Sequence, residues 1–432
     1  MGTVMITGGG QDSSYLAELL LERGDKVVML IRRASYPNTQ RVDHLPEGDK
    51  FIMDYFDLSD TVSIENAVQK YQPDIIFNMA AQSHVGISFK VPESTINFNT
   101  LGVLRFLEAI KKIKPECKFY QASSSEMFGI SPPPQNENTP FMPCSPYGVS
   151  KLAAFHLVRT YREGYGLFAT NGILFNHESE RRGLNFVTRK ITRSIAEIVK
   201  GTRDKIELGN IDATRDWGHS RDYMKAIIEL MDQDKPTDVV ISTGETYSVR
   251  DFLKEAFGLI GLNWEDYVVL SDKQLRPFDV PSLLGDNKKA LSMLKWRPEI
   301  MFKELVREML EYDLKEIASL DISKAKRKMS GFKREEVLEQ LKKEYESECL
   351  EKKDCLTFRG LVDWLNDRDY EVDYTTAQVE LKLLDFNNAL FDKIEEANEK
   401  IRDKCEHEYD NILLLSNPPQ RKCIKCGECI YV

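Results

Sequence analysis

The sequence predicts an α/β fold with a doubly wound parallel sheet, followed by a smaller C-terminal lobe and a helical extension. Short apolar runs alternate with amphipathic stretches over residues 2–173, which is the pattern of repeated β-α-β units. A glycine-rich turn joins the first apolar run to the first amphipathic stretch. After residue 318 the composition becomes highly charged and poor in aromatic residues, so a separate extension is expected there.

The elements follow one another in the order that such a sheet requires. The first strand, helix and strand are predicted at residues 4–7, 15–23 and 27–31. Further strands and helices are predicted in turn at 75–78, 103–113, 118–122, after Tyr147, and at 168–173. From residue 176 strands become sparse and polar loops appear, before helical segments resume near Val249 and Phe302.

This organisation predicts three parts. Residues 1–317 form the main domain, in which residues 176–317 provide most of a substrate-binding lobe. Residues 318–404 form a charged helical extension, where apolar residues at steps of three and four between 379 and 401 predict one long amphipathic helix. That helix either pairs between subunits or folds back on the main domain, and residues 405–432 are expected to bind a metal ion.

The bulk properties exclude several classes of protein. A net charge of -10 argues against a nucleic-acid surface, because phosphate binding requires a basic face. No window reaches the roughly 18 apolar residues that a membrane span requires, and the first residues lack a basic leader. The sequence therefore predicts a soluble, cytoplasmic protein that binds neither nucleic acid nor a membrane.

The eight cysteines indicate free thiols and a local metal site, because half of them crowd into the last residues of the chain. A Cys-x-His pair and a later Cys-x-x-Cys-Gly provide a tetrahedral set for structural zinc: Cys405, His407, Cys423 and Cys426. Two alternatives stay open at this point. The terminus binds no metal, or Cys429 replaces one of the four ligands.

The glycine-rich turn predicts a Rossmann-like dinucleotide site. In such turns glycines let the backbone approach a pyrophosphate, and the following helix offers unpaired N–H groups. The residues expected there are Gly8, Gly10, Gln11 and Asp12. A glycine-rich turn without a ligand is the alternative.

Residues after the next strands indicate the type of dinucleotide. Arg32 and Arg33 stand where NAD-preferring folds place an acidic residue, so the pair favours the 2′-phosphate of NADP. Asp57 and Leu58 follow the third strand, where a carboxylate accepts a hydrogen bond from the adenine amine. The fourth strand is followed by a segment in which the small Ala80 and Ala81 allow close approach, and the residues expected at the cofactor from this segment are Met79, Ala80, Ala81, Gln82 and Ser83.

Two further segments predict a catalytic group. Tyr147 and Lys151 are four residues apart and share one face of a helix, so the ammonium group is expected to lower the pKa of the phenol. Ser124 is placed to hydrogen-bond a reacting hydroxyl, and Glu126 to remove an acidified C–H proton beside a ketone. A simple dehydrogenase does not need that glutamate. The set predicts oxidation, elimination and return of the stored hydride.

Over residues 2–317 the sequence resembles the GDP-mannose 4,6-dehydratases, a branch of the extended short-chain dehydrogenase/reductases. The motifs that carry the resemblance include GQDSSYLAELLLERG, AAQSHV, QASSSEMFG, SPYGVSK, NGILFNHES, FVTRKITR and LGNIDATRDWGH. The resemblance implies that GDP-mannose is the substrate, that NADP is the cofactor, and that the protein is a homodimer or homotetramer.

By resemblance, Ser124, Glu126, Tyr147 and Lys151 are catalytic, and His177 and Arg182 join the cofactor contacts named above. The substrate contacts implied by the family are Ser88, Asn176, Arg189, Lys190, Arg215 and Arg276. Arg215 and Arg276 suit a diphosphate, since guanidinium groups pair N–H donors with phosphate oxygens.

The chain departs from the family pattern at several positions. The glycine loop is one residue short before Gln11, and Ser13 stands where the third glycine is usual. The other departures are Ser94 for a tyrosine, Ser124 for a threonine, Asp279 for a glutamate and Pro281 for an aspartate. Serine retains the hydroxyl of threonine, whereas the remaining changes are expected to weaken binding.

Two alternative functions remain at the sequence level. One is a dehydratase or epimerase acting on another nucleotide sugar, because fold and Tyr-Lys pair are shared among such enzymes. The other is a cofactor-bound scaffold without turnover, in which the tail recruits a partner. Replacing Glu126 by glutamine distinguishes them, because only an enzyme has turnover to lose.

Overall fold

The computed structural model describes residues 2–35, 39–328, 420–422 and 429–431. Contacts between residues divide the chain into two units. The first contains Met1–Ala196 and Asp204–Asp313, and the second contains Glu197–Arg203 and Leu314–Val432. All predicted catalytic, cofactor and substrate residues belong to the first unit.

A seven-stranded parallel sheet forms the centre of the first unit and confirms the predicted doubly wound fold. Its first six strands are β1 (Thr3–Thr7), β2 (Lys26–Ile31), β3 (Phe51–Tyr55), β4 (Ile75–Asn78), β5 (Lys118–Ser124) and β6 (Ala169–Leu174). Shorter strands follow: β7 (Asn176–Glu178), β8 (Ile206–Leu208), β9 (Thr214–Arg215), β10 (Trp217–His219), β11 (Val239–Ile241), β12 (Tyr247–Ser248) and β13 (Val268–Leu270). The sheet order is β11-β6-β5-β4-β1-β2-β3, so the direction of winding reverses beside β1.

Helices connect the strands of the sheet. They are α1 (Gln11–Arg23), α2 (Thr61–Tyr71), α3 (Val85–Ser88), α4 (Pro92–Ile96), α5 (Gly102–Ile113), α6 (Pro146–Tyr165), α7 (Val187–Val199), α8 (Ser220–Met231), α9 (Val249–Gly258), α10 (Lys288–Met293) and α11 (Phe302–Lys328). A π-helical turn at Asn97–Leu101 links α4 to α5, and three 3₁₀ turns lie at Ser125–Met127, Trp264–Asp266 and Asp272–Gln274.

The two faces of the sheet carry separate hydrophobic cores because successive side chains of a strand point to opposite faces. In β1, Val4 and Ile6 join one core and Met5 joins the other. The first core includes residues of α1 and α8, and the second includes residues of α2 and α5. Burial on both faces explains the continuous apolar runs from which these strands were predicted.

The region expected to form the lobe also completes the central sheet. Strand β11 and helix α8 both come from residues 176–317 and pack with the dinucleotide-binding half. The rest of this region contains short strand pairs, β7 with β10, β8 with β13 and β9 with β12. The lobe is therefore interwoven with the sheet instead of following it.

In the second unit, α11 continues past residue 317, where the main domain was expected to end. The antiparallel strands β14 (Gln420–Lys422) and β15 (Cys429–Tyr431) form a separate hairpin. The predicted helix at 379–401 and the predicted zinc ligands lie outside the described residues: Cys405, His407, Cys423 and Cys426. Within the described ranges, no three metal-ligating side chains cluster, and no helix is long and apolar enough to cross a membrane.

Candidate active site

The glycine loop between β1 and α1 forms a cradle for a phosphate group. Helix α1 begins after Gly10 without a hydrogen bond from a capping side chain, so its N-terminus remains open to an anion. Gly8 has a φ of 85°, and a Cβ placed there would lie 3.4 Å from the Cα of Ala80. The loop therefore needs glycine at this position and fits a pyrophosphate, although it is one residue shorter than the family pattern.

Asp12, in the first turn of α1, forms a partly buried ion pair with His177. The imidazole Nε2 lies 3.1 Å from Asp12 Oδ2, and the Ser220 hydroxyl donates to Asp12 Oδ1 at 2.7 Å. Burial alone would raise the pKa of Asp12, but His177 and Arg182 hold it below its usual range. For His177, burial lowers the pKa and Asp12 raises it, with a net increase. The pair fixes α1 against β7 and α8.

The adenosine side of the predicted cofactor site lies at the carboxyl ends of β2 and β3. Arg32 and Arg33 are exposed after β2, and the Arg33 guanidinium carbon lies 5.5 Å from the Tyr55 ring centroid. After β3, Asp57 accepts a hydrogen bond from the Ser59 amide at 2.8 Å, and Leu58 is buried. These positions match those expected from the sequence.

Hydrogen bonds of Thr7, at the end of β1, hold the loop after β4 in place. Thr7 donates to the side chain of Asn78 and accepts from the amides of Met79 and Ala80 at 3.0 and 2.9 Å. The remaining members of this predicted segment, Ala81, Gln82 and Ser83, follow directly. In the loop after β7, Arg182 Nε lies 3.0 Å from Glu178 Oε2. The structure thus places the predicted cofactor segment from Met79 to Ser83 at the carboxyl ends of β1 and β4.

The four predicted catalytic residues come from two neighbouring elements. Ser124 ends β5 and Glu126 lies in the 3₁₀ turn that follows, with the Glu126 amide donating to Ser124 Oγ at 3.2 Å. Tyr147 and Lys151 lie in α6, which begins with a Ser145 cap and Pro146 in its first turn. The Ser124 side chain lies close enough to the Tyr147 phenol to lower its pKa, so the structure brings these groups together.

Burial controls the ionisation of Tyr147 and Lys151. It raises the pKa of Tyr147 to about 12, although the nearby Ser124 side chain lowers it in part. It also lowers the pKa of Lys151 to about 8, with the ammonium donating to the Ala122 carbonyl at 2.8 Å. The expected lowering of the phenol pKa by Lys151 is therefore wrong for this site: desolvation outweighs it, and Lys151 Nζ lies 5.8 Å from the ring centroid.

Arg215 lies between the catalytic glutamate and a second carboxylate. Its Nε is 3.9 Å from Glu126 Oε1, and its Nη2 is 3.5 Å from Asp279 Oδ1. Arg276 reaches the same Asp279 oxygen at 3.1 Å. Asn176 begins β7. Its side-chain oxygen Oδ1 is buried and has no hydrogen-bond partner among the described residues. An unpartnered buried acceptor indicates a ligand that supplies a donor.

Three of the predicted substrate contacts have other partners in the structure. Ser88 is fully buried, and its hydroxyl donates to the Val85 carbonyl at 2.6 Å. Lys190 donates to the Glu207 carbonyl at 2.6 Å. Arg189 is buried against Asp313, with Nε 2.8 Å from Oδ2. Arg189 therefore anchors a loop, since its Nη1 also donates to the Arg182 carbonyl at 3.1 Å.

Sequence reasoning missed two buried carboxylates beside the site, Asp216 and Asp313. Asp313 lies in α11, more than a hundred residues from its partner Arg189, so no local pattern reveals the pair. Asp216 follows Arg215 directly, and this adjacency in an extended segment was the available signal.

The sheet, the glycine loop and the Ser-Tyr-Lys group together define an extended short-chain dehydrogenase/reductase that modifies a nucleotide sugar. Solved structures agree with this fold. The UDP-glucose 4-epimerase of Thermus thermophilus, in complex with NAD, superposes with a TM-score of 0.63 at 25% identity, covering 72% of this chain and 98% of that one. The dTDP-glucose 4,6-dehydratase of Bacillus anthracis, also with NAD, gives a TM-score of 0.64 at 20% identity, covering 73% and 97%.

The family model for GDP-mannose 4,6 dehydratase matches residues 5–309. GDP-mannose 4,6 dehydratase 1 of Arabidopsis thaliana is 49% identical over 321 residues, which are 72% of this chain and 89% of the relative. The GDP-mannose 4,6 dehydratase of Homo sapiens is 45% identical over 337 residues, with 72% and 91% covered. The chain belongs to the GDP-mannose 4,6-dehydratase family, as the sequence motifs predicted.

Proposed function

We propose that this protein converts GDP-mannose into GDP-4-keto-6-deoxymannose, with NADP as a cofactor that is regenerated in each cycle. The observation that carries the proposal is the position of Glu126, whose backbone amide donates to Ser124 Oγ at 3.2 Å and whose carboxylate lies 3.9 Å from Arg215 Nε. Oxidation of a hydroxyl requires only Ser124, Tyr147 and Lys151. An additional carboxylate in the same site supports elimination of water, which makes the enzyme a lyase.

In the first step Tyr147 removes the proton of the 4-hydroxyl, which Ser124 holds by a hydrogen bond. The chemistry that NADP supplies when bound is reversible storage of the hydride from carbon 4. Because burial raises the pKa of Tyr147 to about 12, the phenolate is a strong base once it has formed. Lys151, one turn further along α6, is proposed to hold the ribose of the bound cofactor.

In the second step Glu126 removes the proton on carbon 5, which the neighbouring ketone has made acidic. The same proton then passes to the departing 6-hydroxyl, which leaves as water. In the last step the stored hydride returns to carbon 6, and the Tyr147 phenol gives carbon 5 the proton that it took from the 4-hydroxyl, which restores the phenolate. Arg215 and Asp279 lie beside Glu126, so the guanidinium group keeps the carboxylate oriented without a direct, short ion pair. The distance of 3.9 Å between Arg215 Nε and Glu126 Oε1 is longer than a hydrogen bond, so the Glu126 carboxylate can still accept the proton from carbon 5.

NADP is proposed over NAD because the exposed Arg32 and Arg33 follow β2, where the ribose 2′-position is recognised in this fold. A guanidinium group suits a 2′-phosphate, whereas an acidic side chain suits the free hydroxyls. The solved neighbours are divided on this point. The Thermus thermophilus epimerase is a complex with NAD, and a Pseudomonas aeruginosa relative called RMD is a complex with NADPH at a TM-score of 0.61 and 22% identity.

The nucleotide sugar is proposed to bind on the side of Arg215 and Arg276. Both arginines already share Asp279, so a diphosphate would replace or join an existing carboxylate contact. The buried side-chain oxygen Oδ1 of Asn176 is available to accept a hydrogen bond from the sugar or the base.

The test is to incubate the purified full-length protein with GDP-mannose and NADP and to measure the nucleotide sugar by mass spectrometry. Loss of one water from GDP-mannose is expected, with no net reduction of NADP. The Glu126→Gln variant should bind NADP and form no dehydrated product. If the wild-type protein dehydrates dTDP-glucose or UDP-glucose but not GDP-mannose, the proposed substrate is wrong.

Three expectations concern the whole protein instead of this site. We propose a structural zinc ion on Cys405, His407, Cys423 and Cys426 from their spacing alone. A homodimer or homotetramer and a cytoplasmic location are proposed from the family resemblance and the composition.

A further inference from the structure

We propose that Asp216 is a positioning residue of the active site, which holds Arg215 beside Glu126 by binding two other chain segments to one carboxylate. This inference rests on the proposed function, because it assigns a role in the same site. It begins from a buried charge that the catalytic steps above do not use: Asp216 has no exposed surface. A buried carboxylate is costly unless its oxygens are hydrogen-bonded, so its partners are informative.

Arg215 and Asp216 point to opposite sides of one extended segment. Arg215 ends β9 and Trp217 begins β10, with Asp216 between them. Since successive side chains alternate in extended backbone, Arg215 faces Glu126 and Asp279 while Asp216 faces the protein interior. Asp216 therefore acts through its neighbour and not by touching a substrate.

The Asp216 carboxylate accepts four hydrogen bonds, two on each oxygen. Oδ1 accepts from the amide and the hydroxyl of Thr243 at 2.8 and 2.6 Å. Oδ2 accepts from the amides of Gly244 and Gly285 at 3.0 and 3.2 Å. Only an ionised carboxylate presents acceptors to all four donors. Burial raises the pKa of Asp216 to about 6, so the group is mainly ionised above pH 7.

The segment that contains Gly285 also holds the partners of Arg215. Thr214 in β9 donates its amide to the Pro281 carbonyl at 3.0 Å and accepts from the Leu283 amide at 3.1 Å. Upstream in the same segment, the Val280 carbonyl accepts from Arg215 Nη1 at 2.9 Å. Asp279, the second carboxylate beside Arg215, precedes Val280. A change at Asp216 should therefore displace both Arg215 and the segment that carries its partners, Asp279 and Val280.

The first test removes a single donor. Thr243→Val deletes the hydroxyl bond to Asp216 and the weaker bond that the hydroxyl accepts from the Glu245 amide at 3.2 Å, and it keeps the shape of the side chain. It should lower kcat/KM for GDP-mannose about 3- to 10-fold at pH 8, because only part of the loss of one bond to a charged group is passed on to Arg215. The matched control is Thr160→Val, since Thr160 in α6 donates to the His156 carbonyl at 2.9 Å and not to Asp216 or to the segment that contains Gly285. The control should stay within about twofold of wild type.

The second test asks whether the effect passes through Arg215. In a double-mutant cycle with Arg215→Lys, the Thr243→Val change should cost less than about twofold, because the positioned group is already lost. An equal cost in both backgrounds would overturn the inference, and so would full activity of Thr243→Val. Asp216→Asn should be more severe, about 30-fold or more, because its amide group faces two N–H donors.

Controls separate this inference from folding defects and from the proposed function. Retention of NADP binding by Thr243→Val shows that the fold is intact, so a fall in Tm with unchanged kcat/KM would assign Asp216 a purely structural role and refute the proposal. Absence of product from the wild-type protein would instead refute the proposed function.

Discussion

Replacing Asp313 by asparagine should destabilise the first unit strongly, because Asp313 neutralises a buried arginine. Its side chain has no exposed surface, and Arg189 is 6% exposed. Arg189 Nε donates to both carboxylate oxygens at 2.8 and 3.0 Å, and the Thr192 hydroxyl donates to Oδ2 at 2.7 Å. Asparagine has the same shape, but it removes the charge and turns an amide group toward one of these donors.

The expected size of the effect follows from the burial of the pair. Removing one partner of a buried ion pair costs about 3–5 kcal/mol, because the other charge is left uncompensated. A unit of roughly 300 residues has an unfolding entropy of about 0.6 kcal/mol/K at its midpoint, so the Tm should fall by about 5–8 °C. The exposed pair of Arg250 and Asp212, also at 2.8 Å, is the control. Asp212→Asn should lower the Tm by less than about 2 °C.

Differential scanning calorimetry of the full-length variants at pH 7.5 measures both effects. The double variant Arg189→Met, Asp313→Leu should recover part of the lost stability, because it removes both charges together but also the Arg193 contact with Asp313 at 3.8 Å and the Arg189 bond to the Arg182 carbonyl. If Asp313→Asn melts within about 2 °C of wild type, the buried pair does not contribute as the structure indicates. If Asp313→Asn is stable but loses substrate affinity, Arg189 is a substrate contact after all.

Three further predictions concern the catalytic group and the cofactor, and a fourth concerns the tail. Glu126→Gln should lower kcat about 100- to 10,000-fold without loss of NADP binding. Product formation measures the first effect and cofactor fluorescence the second. A smaller fall in kcat would show that Glu126 is not the base. Burial lowers the pKa of Lys151 from its usual value to about 8, so its charged form destabilises the fold below that pH and this cost disappears as the pH rises toward 10.5. Lys151→Met should therefore raise the Tm of cofactor-free protein at pH 7 but not at pH 10, while abolishing turnover. An equal change in Tm at both pH values would contradict the lowered pKa of Lys151. Arg32→Glu should weaken NADP binding about tenfold or more relative to NAD, measured by titration, and an unchanged ratio would argue against 2′-phosphate recognition. The purified protein should contain about one zinc ion per chain by mass spectrometry, and Cys426→Ser should lose it, whereas a metal-free wild type would refute the zinc site.

Much of the fold was predictable because its signals are local. The buried strands are continuous apolar runs, and the predicted strand at residues 75–78 agrees with β4. The glycine loop, the Tyr147–Lys151 pair and the nearby Ser124 and Glu126 depend on short spacings that the strand-turn-helix pattern converts into proximity. Family membership followed from the same motifs and is confirmed by the relatives.

The expectations that failed involve distant residues or desolvation. Strand β11 has only three residues, which is too short for a clear pattern in the sequence. Its place at the edge of the sheet is decided by its pairing with β6. The phenol pKa of Tyr147 was expected to fall, but the depth of burial that raises it is a property of the folded site.

The sequence by itself determined the fold class and the family and predicted the catalytic residue types, because periodicity and motif spacing encode these within a few tens of residues. Only the tertiary structure decided which charges face one another. It joined Arg189 to Asp313, and it bound Asp216 to Thr243 and Gly285. Such pairs form when distant segments pack, and the cost of burying a charge selects partners that no local pattern specifies.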